Sequence, residues 1–203
     1  MTPACRIIVF AKAPLAGYAK TRLIPALGPQ GAAALAKRLL ERALEQALLA
    51  GLGPVELCCA PDARHAAFAV QARDGRIVLS DQGEGDLGQR MARAIDNALL
   101  QHPKVVLIGT DAPGLDSATL RAAATALDTH AAVFVPVFDG GYVLVGLRRS
   151  MPLLFENMPW STPEVMQRSR ERLASAGIGH AELAPLADID APSDLVHLPA
   201  GWT

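Results

Sequence analysis

Lys12, Lys20 and Arg22 share one Gly/Pro-containing stretch, VFAKAPLAGYAKTRL (9–23), directly after an apolar run. A loop that only turned the chain would not need three cations. Ammonium and guanidinium donors around a permissive Gly17 suit a polyanion such as a nucleotide di- or triphosphate. The segment lacks GxxxxGK[ST], so it is not a Walker A loop. Ala11, Lys12, Gly17, Lys20 and Arg22 are therefore the expected phosphate-binding set, with Lys20 and Arg22 facing the charge that develops during reaction.

Carboxylates recur at other apolar-run ends. In LIGTDAPGLD (107–116) Asp111 follows an apolar strand and precedes a Pro/Gly break, a natural ligand for Mg²⁺, which favours one or two carboxylates plus phosphate oxygens and water. Thr110 and Asp116 are weaker candidates in the same stretch, and a turn or cap is the plainer role for an Asp there. DIDAPSDL (188–195) presents Asp188 and Asp190 two residues apart, and one of them could complete a metal site with Asp111. Ser193 and Asp194 read as the start of a short terminal helix.

FDGGYVLVG (138–146) carries Asp139, Gly140 and Gly141, suited to a small acceptor approaching the backbone and equally to a hairpin turn. Trp160 could cover a ligand or anchor the start of a helix. QGEGDLGQR (82–90) contains GxGxxG after an apolar run, a pattern compatible with a dinucleotide site. Glu84 and Asp86 oppose a pyrophosphate there, so the preferred expectation is a nucleotide-edge loop using Gln82, Gly85, Gly88 and Arg90. The five histidines are scattered, and no Ser-His-Asp or Cys-His arrangement can be defended.

The elements that must hold these groups alternate. RIIVFA (6–11), PVELCCA (54–60), RIVLS (76–80), KVVLIG (104–109) and AVFVPVF (132–138) predict buried strands. Helical patterns lie between them, at 31–49, through Leu87, Met91, Ile95 and Leu99, and through Leu120, Ala123 and Leu127. This rhythm implies right-handed crossovers and a mainly parallel sheet with helices on both faces. GGYVLVGL (140–147) follows too closely for a crossover and predicts an antiparallel return. A helix capped by Ser161 or Thr162, with Pro163 in its first turn and Gly177 as terminator, is expected next. Ligands of such sheets bind at the carboxyl ends of strands, where the motifs above fall.

The chain has 203 residues, is 51% hydrophobic and carries a formal charge of −1. These values fit a single domain over 1–203 and argue against a general nucleic-acid or membrane-surface binder. Cys5, Cys58 and Cys59 read as reduced core thiols. No stretch approaches a membrane span and no signal pattern opens the chain, so a cytoplasmic protein is expected.

Taken in order, FAKAPLAGYAKTRL, QGEGDLGQRM, GTDAPGL, DGGYVLVGL, PWSTPEV and DIDAPSDL resemble a bacterial family of uncharacterised transferases classed with the nucleotide-diphospho-sugar transferases and often labelled glycosyltransferase. More distantly, the chain is similar to guanylyl- and cytidylyltransferases. The resemblance implies a three-layer Rossmann-like GT-A fold with one antiparallel strand, and nucleotide bound over the first strands. It implies Mg²⁺ or Mn²⁺ held by Asp111, with Asp190 as second ligand. The expected substrates are a nucleotide sugar or nucleoside triphosphate and a small acceptor near Gly140, Gly141 and Trp160. Two departures stand out: Ala191 replaces a Thr common in relatives, and GTDAP offers one Asp where glycosyltransferases usually carry Asp-x-Asp. Glycosyl transfer is the leading expectation, with Asp139 as base in an inverting reaction. Nucleotidyl transfer, a dinucleotide-dependent oxidoreductase and a non-catalytic nucleotide binder are the alternatives.

Overall fold

The computed structural model describes residues 5–202. Seven strands form one sheet: β1 (Arg6–Lys12), β2 (Val55–Ala60), β3 (Ile77–Asp81), β4 (Val105–Ile108), β5 (Ala132–Pro136), β6 (Tyr142–Leu147) and β7 (His180–Glu182). Five α-helices accompany them: α1 (Ile24–Ala50), α2 (Ala66–Ala69), α3 (Leu87–Leu99), α4 (Ser117–Ala126) and α5 (Val165–Ser175). The strand order is β3-β2-β1-β4-β6-β5-β7. β6 runs antiparallel to both neighbours, β4 and β5, while the other pairings are parallel. The expected mixed, mainly parallel sheet with one antiparallel strand is the one observed.

The pleat sorts the core into two layers. Along β1, Ile7, Val9 and Ala11 enter a cluster with Leu40 and Leu44 of α1 and Leu120 of α4. The alternate residue, Ile8, enters a second cluster with Met91 and Ile95 of α3 and Met166 and Leu173 of α5. Both faces of the central strands are thus dry, which is why their sequences are almost continuously apolar.

Helix ends carry recognisable stop and start chemistry. Asp86 caps α3 by accepting from Gln89 N, and the Gln89 side chain reaches back to Asp86 N. Asp116 caps α4 through Thr119 N. The body of α1 begins at Pro29, after a non-helical Gly28, and ends at a left-handed Gly51.

One expectation needs correction, and two elements were not anticipated. The first of these is β7, a three-residue edge strand whose polar ends give no periodic signal. α5 starts at Val165 with no side-chain cap, not at Pro163. Ser161 adopts a left-handed φ of 64°, and Met166 N donates to Gly140 O, so the loop before α5 is docked on the β5–β6 hairpin instead of being wound into the helix. α2, a single turn capped by the His65 side chain, was not anticipated.

Candidate active site

The order of strand addition reverses between the parallel strands β1 and β4: β1 leads outward to β2 and β3, and β4 then returns to pair with the other side of β1. That crevice is the topological switch point of the sheet, where open α/β folds bind ligands. The loop after β1 and the turn after β4 flank it, so the first cationic motif and Asp111 are brought together by topology.

The loop is built tightly. Ala13 N donates to Ala60 O, and Tyr18 N and Ala19 N both donate to Leu15 O. Gly17 stands at φ 78°, a conformation a side chain would resist. Lys20 itself is left-handed, with φ 50° and ψ 41°. From there its Nζ contacts Asp111 Oδ1 at 2.5 Å and donates to Asp190 Oδ1 at 2.8 Å and Ile189 O at 2.6 Å. Arg22 Nη1 lies 4.0 Å from Asp190 Oδ2.

The carboxyl-terminal segment closes this arrangement. Leu186 N donates to Pro136 O, and Ile189 N donates to Asp111 O at 2.9 Å, so residues 186–190 cross the ends of β5 and β4. Asp194 Oδ2 accepts from Asp190 N and Ala191 N, fixing the bend that presents Asp190. Those two backbone bonds outweigh the effect of burial and hold the Asp194 carboxyl below its ordinary range.

The electrostatics follow from crowding. Burial works against the Lys20 ammonium, but Asp111 and Asp190 outweigh it and raise its pKa above the usual lysine value. Burial, with Asp139, Asp190 and Asp111 nearby, pushes Asp188 up to about 6. Two carboxylates therefore hold one docked ammonium, and Asp188 and Asp139 add negative charge beside them. Burial also raises Cys5 and Cys58 to about 11 and Cys59 to about 12, so these thiols are inert core residues, as expected.

Among the described residues no cluster of three or more His, Cys, Asp or Glu side chains converges on a metal position. The Lys20 ammonium nevertheless marks a cation locus with three oxygen donors, two of them anionic. Such a hard donor set fits Mg²⁺ or Mn²⁺, completed by phosphate oxygens and water.

Other expected site residues fall elsewhere. Gln82 is buried, and its Nε2 donates to Ala11 O and Cys58 O while Arg90 Nη1 donates to its Oε1. Its amide ties β1 to β2 and orients Arg90, leaving no free group for a base. Ala11 is likewise buried. A Cβ on Gly88 would meet Phe155 O at 2.4 Å and Trp160 Nε1 at 2.6 Å, so Gly88 serves packing of α3. Trp160 stacks on Phe155 and meets Tyr142 edge-on, the aromatic anchor of the two roles considered. At Gly140 (φ 93°) a Cβ would lie 2.1 Å from Pro163 O, which makes this glycine a close-approach point for the loop before α5. Gly141 N donates to Asp139 Oδ1 in the hairpin turn.

GEGDLG follows β3, the edge strand, not the switch point. Arg93 binds the carbonyls of Gln82 and Glu84, and the Asp86 carboxylate already occupies the start of α3. A pyrophosphate would meet that negative charge. The dinucleotide pattern is therefore a held loop with a capped helix. A groove of about 450 Å³ between α1 and residues 70–77 lies at the opposite, amino-terminal end of β3, away from these loops.

Sequence reasoning missed Asp194, the Ile189 carbonyl and Phe138, whose side chain is 74% exposed beside Asp139. An aromatic between a buried strand and a turn was the available signal for Phe138.

A family model described as an uncharacterized protein conserved in bacteria (DUF2064) matches residues 42–162. The chain belongs to that family. No curated protein matches it significantly in sequence. Among solved structures, a protein from Desulfovibrio desulfuricans G20, provisionally named a nucleotide-diphospho-sugar transferase, is 29% identical with a TM-score of 0.86, covering 95% of this chain and 84% of that one. CMP:2-keto-3-deoxy-manno-octonic acid synthetase complexed with CTP shares the fold at 14% identity and TM-score 0.58, with 95% of each chain covered. So does Rv0371c from Mycobacterium tuberculosis H37Rv in complex with manganese, at 19% identity and TM-score 0.56, with 96% and 97% covered. The family, the fold and the similarity to nucleotide-diphospho-sugar transferases agree with the resemblance carried by the motifs. No helix among the described residues is long and apolar enough to cross a membrane.

Proposed function

We propose that this protein is a nucleotide-utilising transferase whose reaction centre is the switch-point cluster of Lys20, Arg22, Asp111 and Asp190. The observation that carries the reading is the convergence, across β1 and β4, of a basic loop with two carboxylates that suit a divalent cation. The solved structures whose names state an activity are also transferases or synthetases acting with nucleotides, which supports the class.

Within that class, the reading is glycosyl transfer from a nucleotide sugar to a small hydroxyl acceptor. Arg22, exposed on the loop, binds the leaving nucleoside diphosphate, and Lys20 joins it as negative charge grows on the bridging oxygen. Asp111 and Asp190 would hold Mg²⁺ or Mn²⁺, which when bound neutralises the diphosphate as a Lewis acid. Asp139, exposed in the β5–β6 hairpin, accepts the acceptor's proton, and Phe138 offers its ring face to a sugar. The carboxylates of Asp139, Asp188 and Asp190 repel a phosphate nucleophile, which favours a neutral acceptor.

Nucleotidyl transfer is the second reading, favoured by Lys20 and Arg22 on the loop after β1 and by the fold shared with a CTP-bound synthetase. Phosphorus NMR of reactions with a panel of nucleotide sugars, nucleoside triphosphates and hydroxyl acceptors separates the two. Release of a nucleoside diphosphate from a nucleotide sugar is the expected result. Release of pyrophosphate from a triphosphate instead would replace glycosyl by nucleotidyl transfer, and neither product from any donor would overturn the transferase reading.

A further inference from the structure

The Lys20 ammonium has three N–H donors and three acceptors around it: Asp111 Oδ1, Asp190 Oδ1 and Ile189 O. Docked in this way, it has no donor left for a phosphate. The lysine side chain is only 8% exposed, whereas the Asp111 and Asp190 side chains are 44% and 40% exposed. The carboxylates are thus open to an incoming ligand, yet their mutual focus is filled from the protein side. An ammonium and a divalent cation cannot share those oxygens, because two like charges at such a separation repel strongly in a partly buried site.

We propose that Lys20 is an internal counter-ion that closes the divalent-cation site, and that the metal enters only when a nucleotide phosphate draws Lys20 away from Asp111 and Asp190. The proposal rests on the nucleotide-utilising reading above and adds an order of binding to it: the metal arrives with or after the nucleotide, never alone. The exchange leaves no charge unmatched. Lys20 passes from carboxylate to phosphate, and the divalent cation takes its place between the carboxylates. Gly17, three residues earlier in the loop, supplies a backbone position that can change conformation as the lysine moves.

The test measures Mn²⁺ binding to the full chain by water-proton relaxation enhancement, which separates protein-bound Mn²⁺ from Mn²⁺ on free nucleotide. The wild type, Lys20→Met, and Lys20→Met with Asp190→Asn are compared. A lysine docked in about 99% of molecules weakens apparent metal affinity ~100-fold, so Lys20→Met should bind Mn²⁺ alone ~100-fold more tightly than wild type. The double variant should lose that gain. Adding CTP, GTP, UDP-glucose or GDP-mannose should recruit Mn²⁺ to the wild-type protein. If wild type binds Mn²⁺ alone as tightly as Lys20→Met does, the counter-ion role is overturned, even if nucleotides still bind. If Lys20→Met gains the metal site but no nucleotide recruits Mn²⁺ to wild type, the counter-ion role stands and the nucleotide reading falls. Melting curves accompany each titration, and Lys20→Gln, which keeps a polar group at the site, replaces Lys20→Met if the latter does not fold.

Discussion

Asp111 was legible as a candidate metal carboxylate from its place just past an apolar run, and Asp188 or Asp190 from their Asp-x-Asp spacing. The partner that holds them was not, since Lys20 reaches Asp190 only because Ile189 N bonds Asp111 O, a contact between distant parts of the chain. Gln82 shows the converse: a polar residue in a loop reads as a ligand contact, and only the packed structure reveals its amide spent on two backbone carbonyls. Glycines divide in the same way. Gly140 was chosen for acceptor approach, yet the group that approaches it is the Pro163 carbonyl. Gly140→Ala should therefore act on stability: a Cβ in that left-handed position, pressed on Pro163 O, should cost at least ~2 kcal/mol. A fall in Tm of roughly 4–8 °C by calorimetry would follow for a chain of this size. An unchanged Tm would mean that the loop before α5 is not seated on the hairpin as described.

Elements with strong periodicity were read correctly, because buried parallel strands and amphipathic helices write their burial into composition. β7 was missed because an edge strand of three residues has one apolar position and depends on its neighbours. Much of its tie to the fold is side-chain chemistry: Arg170 of α5 donates to both oxygens of Glu182, each at 2.7 Å, and His180 lies 3.1 Å from the same carboxylate. The Arg170 hydrogen bonds hold Glu182 below its usual pKa of 4.5. A carboxyl depressed in the fold contributes stability that is present above 4.5 and lost as pH falls through the lowered value. Glu182→Gln should accordingly lower stability at pH 7 by about 1 kcal/mol at most for so exposed a pair, seen as a fall in Tm. The gap to wild type should close as the pH is taken well below 4.5. A gap independent of pH, followed by thermal melts across that range, would assign the loss to packing and not to the ion pair.

At the scale of the molecule, the sheet order does the organising work: reversal between β1 and β4 places the loop after one strand against the turn after the other. The motif order along the chain carried the family and the fold, whereas the reaction depends on what approaches the crevice. The account stands or falls on nucleotide and divalent cation binding there together. The most direct measurement is thermal stabilisation of wild type and Asp111→Asn by a panel of nucleotide sugars and nucleoside triphosphates, each with and without Mg²⁺. A ligand at about 100 times its dissociation constant adds nearly ~3 kcal/mol, readily seen as a shift in Tm. The predicted result is stabilisation of wild type that requires Mg²⁺ and is lost in Asp111→Asn. Equal stabilisation without the metal, equal stabilisation of Asp111→Asn, or none by any nucleotide would contradict it.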